Sequence, residues 1–205
     1  MSRYRHSRAP DVNSPRLILA STSAYRRALM ERLGLPFEVV APDVDEAPLP
    51  HESAERTALR LAEMKAQAGA RLTQGALIVG SDQVAAMDGK RLGKPGNHAS
   101  AVRQLQMVRG KHVVFHTALC LYNAASDRTQ LANVPTTVTF RGITDAQIER
   151  YLTLERPYDC AGSARIEGLG IALVEHVMSD DPTALIGLPL MQLVTMLRNE
   201  GIEVV

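Results

Sequence analysis

Ala76-Leu77-Ile78-Val79-Gly80-Ser81-Asp82-Gln83 is the stretch whose reading decides the fold. Four consecutive apolar residues, two of them β-branched, read as a strand buried on both faces, as in the parallel part of an α/β sheet. Such a strand delivers Gly80, Ser81, Asp82 and Gln83 at its carboxyl end, the edge where α/β sheets hold ligands. Asp82 in that position either serves a ligand or forms a turn. Asp88-Gly89 follows at a spacing that predicts a tight hairpin.

Toward the N-terminus, Leu17 to Ala20 reads as another buried strand, Ser21-Thr22-Ser23 as a helix start, and Gly34 as the end of that helix. Phe37 to Ala41 is a further strand. Pro42 to Pro50 is a Pro-rich acidic loop carrying Asp43, Asp45 and Glu46. A helix from Ser53 to Ala70 follows, and its apolar stripe of Ala58, Leu61 and Ala62 reaches Lys65 at the next inward step.

Toward the C-terminus, Asn97 is placed to cap a helix through Val108 that stops at Gly110. Val113 to Leu121 and Thr136 to Phe140 read as strands, Thr144 to Leu154 as a capped helix, and Cys160 to Gly170 as a Gly-rich loop. Ile171 to Val174 is expected to be a strand, and Pro189 to Asn199 a closing helix. Strands alternating with helices, with one hairpin-rich stretch, predict an α/β protein with a mixed sheet.

The 205 residues, 45% hydrophobic, suffice for one compact domain or two lobes sharing a sheet. A formal charge of +1 and the absence of Trp speak against a nucleic-acid surface, so an anionic partner must be small and held by locally placed cations. No run of about 18 apolar residues is available to cross a bilayer. Two cysteines, Cys120 and Cys160, suit a reducing compartment, and a cytoplasmic location is expected. Residues 1–15, with Arg3, Arg5, His6 and Arg8, read as a basic disordered tail, and residues 16–205 as the domain. The histidines show no metal-ligand spacing, and no Gly-x-Ser-x-Gly elbow is present.

The candidate chemistry is distributed. Ser21-Thr22-Ser23, between a strand and a helix, exposes backbone N–H groups beside Arg26 and Arg27 and suits a phosphate. Lys65, on an inward stripe, must snorkel outward or meet an anion. Lys94 and the pair Asp45-Glu46 lie in loops. Together these acids and cations are what a metal-bound triphosphate needs: carboxylates for a hard cation and cations for the remaining charge.

In this order, Leu19-Ala20-Ser21-Thr22-Ser23 with Arg26-Arg27, Asp45-Glu46, Lys65-Ala66, Gly80-Ser81-Asp82-Gln83, Gly93-Lys94-Pro95 and Gly187-Leu188-Pro189 resemble the Maf family of nucleotide pyrophosphatases. The likeness runs from about Leu17 to the C-terminus, and six ordered motifs make it specific. It implies an elongated mixed sheet flanked by helices, two lobes with a central cleft, hydrolysis between the α and β phosphates, a divalent cation (Mg, Mn or Co), and a homodimer. By the same likeness, Asp82 matches the general base and Glu46 a cleft acid that, with Asp82, holds the metal. Ser21, Arg26, Lys65 and Lys94 match phosphate-side residues.

Cys160 to Gly168 looks like the subgroup that acts on 7-methyl-GTP. The dTTP/UTP subgroup carries Gln at the Glu167 position, Arg at the Tyr25 position and Thr at the Gln83 position, so Tyr25, Gln83 and Glu167 become the expected specificity residues. Methylation at guanine N7 makes the base cationic, and a cation is attracted by an aromatic face and a carboxylate. The rivals are a dTTP/UTP or other modified-nucleotide pyrophosphatase and, from another class, a nucleotide-binding septum-inhibition protein.

Overall fold

The computed structural model describes residues 15–73 and 75–205; apart from Pro15, the expected basic tail lies outside the described residues. Seven strands form one sheet in the order β2-β1-β3-β5-β6-β7, with β4 paired to β3. The strands are β1 (Leu17–Ala20), β2 (Glu38–Val40), β3 (Leu77–Met87), β4 (Lys90–Leu92), β5 (His112–Asn123), β6 (Arg128–Phe140) and β7 (Val174–Ser179). The helices are α1 (Ala24–Glu31), α2 (Ala54–Arg71), α3 (His98–Val108), α4 (Asp145–Glu155) and α5 (Leu190–Asn199).

β1 is parallel to both β2 and β3, whereas β3, β5, β6 and β7 pair antiparallel, so the mixed sheet expected from the alternation of elements is present. The caps expected at Asn97 and Thr144 are present: each accepts from the backbone N–H three residues on, and Thr144 forms a reciprocal capping box with Gln147, while Ser53 caps α2 in the same way. Asp88 and Gly89 both have positive φ, 49° and 74°, which suits the two-residue turn joining β3 to β4.

Three boundaries differ from the sequence reading. β3 does not stop at Val79 but continues to Met87, because β5 offers it an antiparallel partner from Leu77 to Ala86. Asp82 therefore lies inside a strand rather than after one. β6 begins at Arg128, eight residues before the predicted start, since its polar first half pairs with β5 rather than packing a core. Ile171 to Leu173 lie in a 3-10 turn over Leu169–Leu173, and the strand starts at Val174, where pairing with β6 begins.

The sheet carries its apolar side chains in three groups. Leu17, Leu19, Leu77 and Val79 face α1 and α5 through Leu29, Met30, Leu193 and Leu197. On the other face, Ile18, Ala20 and Ile78 meet Ala58, Ala62 and Ala66 of α2. The third group joins Phe115 and Phe140 to α3 and α4 through Leu105, Ile148 and Leu152. At Gly80 the backbone of α2 crosses directly over β3: a Cβ there would lie 2.2 Å from the Ala62 carbonyl oxygen. That close approach sets the depth of Lys65 above β3.

Candidate active site

β1 pairs with β3 only as far as Gly80, and β4 joins β3 only from Ala85. Between them Ser81, Asp82, Gln83 and Val84 have a strand on one side only, and a cavity of about 820 Å³ opens there. Side chains alternate along β3, so Asp82 projects with Gly80 toward α2, while Ser81 and Gln83 project toward the loop before α5.

On the α2 side, Lys65 is 6% exposed and its ammonium stands 2.7 Å from both Asp82 Oδ1 and Glu46 Oε1. The inward lysine meets two protein anions rather than snorkelling. An ammonium has three donors, so one remains for an incoming oxygen. Asp82 Oδ2 has no hydrogen-bond partner among the described residues. Burial raises the Glu46 carboxyl, but the hydrogen bond and charge of Lys65, with Lys94 and Arg26, outweigh it and hold the group below its ordinary value.

On the opposite side, Ser23 caps α1 through the Arg26 amide, and the buried Ser21 hydroxyl accepts from the Ser23 amide at 3.2 Å. The amides of Ala24 and Tyr25 have no acceptor among the described residues, which leaves the start of α1 open to an anion. Arg26 donates through Nε to the Gly187 carbonyl at 2.9 Å. Desolvation lowers its pKa, partly offset by Asp82 and Glu46. Arg27 points away to Glu31 on the exposed face.

All nine sequence-predicted site residues, Ser21, Tyr25, Arg26, Glu46, Lys65, Asp82, Gln83, Lys94 and Glu167, line this one cavity. Two of the three expected base readers have surroundings the sequence did not suggest. Gln83 commits its amide nitrogen to Thr117 and to the Ala184 and Leu185 carbonyls at 2.9 to 3.0 Å, so it braces the loop before α5. Tyr25 has the Arg165 guanidinium 5.5 Å from its ring centroid. Glu167 is exposed and forms no hydrogen bond or ion pair among the described residues. Cys160 also lines the cavity, and burial pushes its thiol up to about 12, which keeps it protonated and unsuited to nucleophilic work.

Sequence reasoning missed the residues that hold the walls. Glu52 accepts from Arg60, Thr57 and the Leu49 amide, while Arg60 also reaches the Ala47 carbonyl, so the loop bearing Glu46 is strapped to α2. Arg91 of β4 donates to Thr57 and to the Glu52 carbonyl and thereby ties the Lys94 loop to the same strap. Asp181, 2% exposed, accepts from Thr183 and from the Met191 amide at the start of α5. No local signal pointed to these residues, since Glu52 and Arg60 stand eight positions apart and Asp181 acts on the start of α5 ten positions later.

Four cations (Arg26, Lys65, Arg91, Lys94) and four acids (Glu46, Asp82, Asp159, Glu167) line the cavity, and their formal charges cancel. A neutral lining receives a polyanion best when a divalent cation accompanies it. The donor set fits such an ion: Glu46 and Asp82 flank the Lys65 ammonium through one oxygen each, Asp82 Oδ2 keeps no partner among the described residues, and a magnesium-type cation uses one or two carboxylates and takes its other ligands from substrate phosphate and water. No closed group of three His, Cys, Asp or Glu occurs among the described residues, so phosphate or water oxygens would have to complete the shell.

An α/β sheet interrupted to form a cleft, with paired carboxylates facing an open helix start and convergent cations, defines a phosphate-handling protein. The profile of the Maf-like protein family matches residues 16–200, and the chain belongs to that family. The 7-methyl-GTP pyrophosphatase of Nitrosospira multiformis is 58% identical over 92% of this chain and 96% of its own length. The 7-methyl-GTP pyrophosphatases of Cupriavidus metallidurans (57%, covering 91% of this chain and 94% of its own) and Ralstonia nicotianae (59%, covering 90% and 95%) are similarly close. No helix among the described residues is long and apolar enough to cross a membrane.

Proposed function

We propose that the chain is a nucleoside triphosphate pyrophosphatase that hydrolyses 7-methyl-GTP to 7-methyl-GMP and pyrophosphate, and so keeps a modified nucleotide out of nucleic acid. The observation that carries this reading is the convergence of the carboxylate pair Asp82 and Glu46, the cations and the base-reading candidates on one cavity. The names and high identity of the relatives support the substrate.

In this reading Asp82 takes a proton from water, directly or while holding the metal, as the water oxygen bonds to the α-phosphorus and the bridge to the β-phosphate breaks. Lys65, placed against Asp82, orients the carboxylate and offers its third N–H to a phosphate oxygen. Arg26, Lys94, Ser21 and the α1 amides bind the phosphate chain and neutralise the departing pyrophosphate. Glu46 and Asp82 would hold the divalent cation (Mg, Mn or Co), which supplies charge neutralisation to the phosphates. Tyr25 and Glu167 meet the methylated base, and Gln83 acts through the loop it braces. A cytoplasmic homodimer is part of the same proposal and rests on the family likeness, with two free cysteines consistent with a reducing compartment.

The deciding experiment is pyrophosphate release from 7-methyl-GTP, GTP, dTTP and UTP with magnesium, manganese or cobalt. Fastest release from 7-methyl-GTP is expected. Faster turnover of dTTP or UTP would move the chain to the other substrate group, and nucleotide binding without release would favour the septum-inhibition reading.

A further inference from the structure

The turn that carries Glu167 is built around a cation with no part in the phosphate chemistry. The Arg165 backbone N–H donates to the Tyr151 hydroxyl, and its carbonyl accepts from the Gly168 and Gly170 amides, so Glu167 sits inside a closed turn. Its Nη1 stands 2.9 Å from Glu155 Oε1, and Glu155 Oε2 accepts from the Leu169 amide at 2.7 Å. Gly168 packs against this carboxylate so tightly that a Cβ would lie 2.6 Å from Glu155 Oε1. The Arg165 Nε is buried without a hydrogen-bond acceptor among the described residues, and the electron-rich Tyr25 ring lies against the guanidinium.

Tyr25 lines the cavity and Arg165 does not. The guanidinium thus holds the ring without itself lining the cavity. We propose that Arg165 is a specificity-positioning residue, which fixes the Tyr25 ring and the Glu167 turn as one unit so that a purine base meets an aromatic face and a carboxylate already in place. This rests on the reading of Tyr25 and Glu167 as base readers. Arg suits the task because a planar guanidinium can cover a ring and pair with a carboxylate together, which the compact ammonium of Lys does less well.

The test uses the full chain with Arg165→Met and Arg165→Lys, measuring kcat and KM for 7-methyl-GTP and competitive inhibition by inorganic tripolyphosphate, which has no base. For Arg165→Met, KM should rise on the order of 10-fold, the cost of ordering a side chain only at the moment of binding. kcat and the tripolyphosphate inhibition constant should stay within about twofold, since the phosphate pocket is untouched. Arg165→Lys should fall between the two, and it decides alone if Arg165→Met does not fold. An unchanged KM overturns the inference, as does a parallel rise in KM and the tripolyphosphate constant, which marks general loosening. A wild-type chain without preference for 7-methyl-GTP sinks the base reading itself, whereas an unaffected variant beside a selective wild type sinks only the role of Arg165.

Discussion

The Lys65 ammonium and an Asp82 carboxylate oxygen stand 2.7 Å apart, with side chains 7% and 11% exposed, in the most enclosed ion pair among the described residues. Lys65 has a second partner in Glu46 at the same distance. Removing the Asp82 charge therefore leaves the lysine paired, which separates catalysis from folding. Asp82→Asn should lower kcat by on the order of 100- to 10,000-fold while shifting the melting temperature little. Near-normal pyrophosphate release would remove Asp82 from the role of base.

Glu167→Gln keeps the shape and removes the charge of a side chain that has no protein partner among the described residues. Its loss should lower the 7-methyl-GTP to GTP ratio of kcat/KM by on the order of 10-fold, the worth of one charge-assisted contact to a cationic base. Competition between the two nucleotides in one assay reads this directly. An unchanged ratio would separate Glu167 from recognition.

Glu52 predicts an acid-dependent stability. Its hydrogen bond to Arg60 draws the carboxyl down from 4.5 to about 2, with Thr57 and the Leu49 amide adding to the effect and burial opposing it. A depressed folded pKa stabilises the protein fully above about 4.5, and that contribution is lost as pH falls through about 2. Thermal melts of wild type and Glu52→Gln should therefore differ most near neutrality and converge at strongly acid pH. A gap that widens on acidification would contradict the strap.

Gly80→Ala forces a methyl group against the Ala62 carbonyl oxygen and the Ala66 amide, 2.2 and 2.6 Å from the new carbon. Both are helix backbone and cannot swing aside. Destabilisation of about 1 to 3 kcal/mol is expected, measurable by urea unfolding, together with lost activity as Lys65 is lifted from Asp82. Wild-type stability would show that α2 is free to move.

Lys65, Asp82 and Ser21 were legible by position, as a lysine on an apolar stripe, an acid after a buried run and a hydroxyl before a helix, whereas Tyr25, Gln83 and Glu167 were picked out by the family resemblance and Glu46 and Lys94 only together with the other charges. What could not be read was nonlocal. The extension of β3 past Val79 depends on β5, more than thirty residues later in the chain. The inward turn of Gln83 depends on carbonyls of Ala184 and Leu185, and the Arg165 contact with Tyr25 joins two segments by packing alone. Capped helices were read well because their signals are local, as Thr144 and Gln147 illustrate.

The Gly187 carbonyl oxygen accepts from both Arg26 and Ser81, so three widely spaced parts of the chain share one atom. During synthesis, the pocket's back wall is still missing until Gly187 has been added, 161 residues after Arg26 and 106 after Ser81. A product that stops or is clipped before Gly187 should consequently be inert toward nucleotides, because Arg26 and Ser81 lose the atom that fixes both.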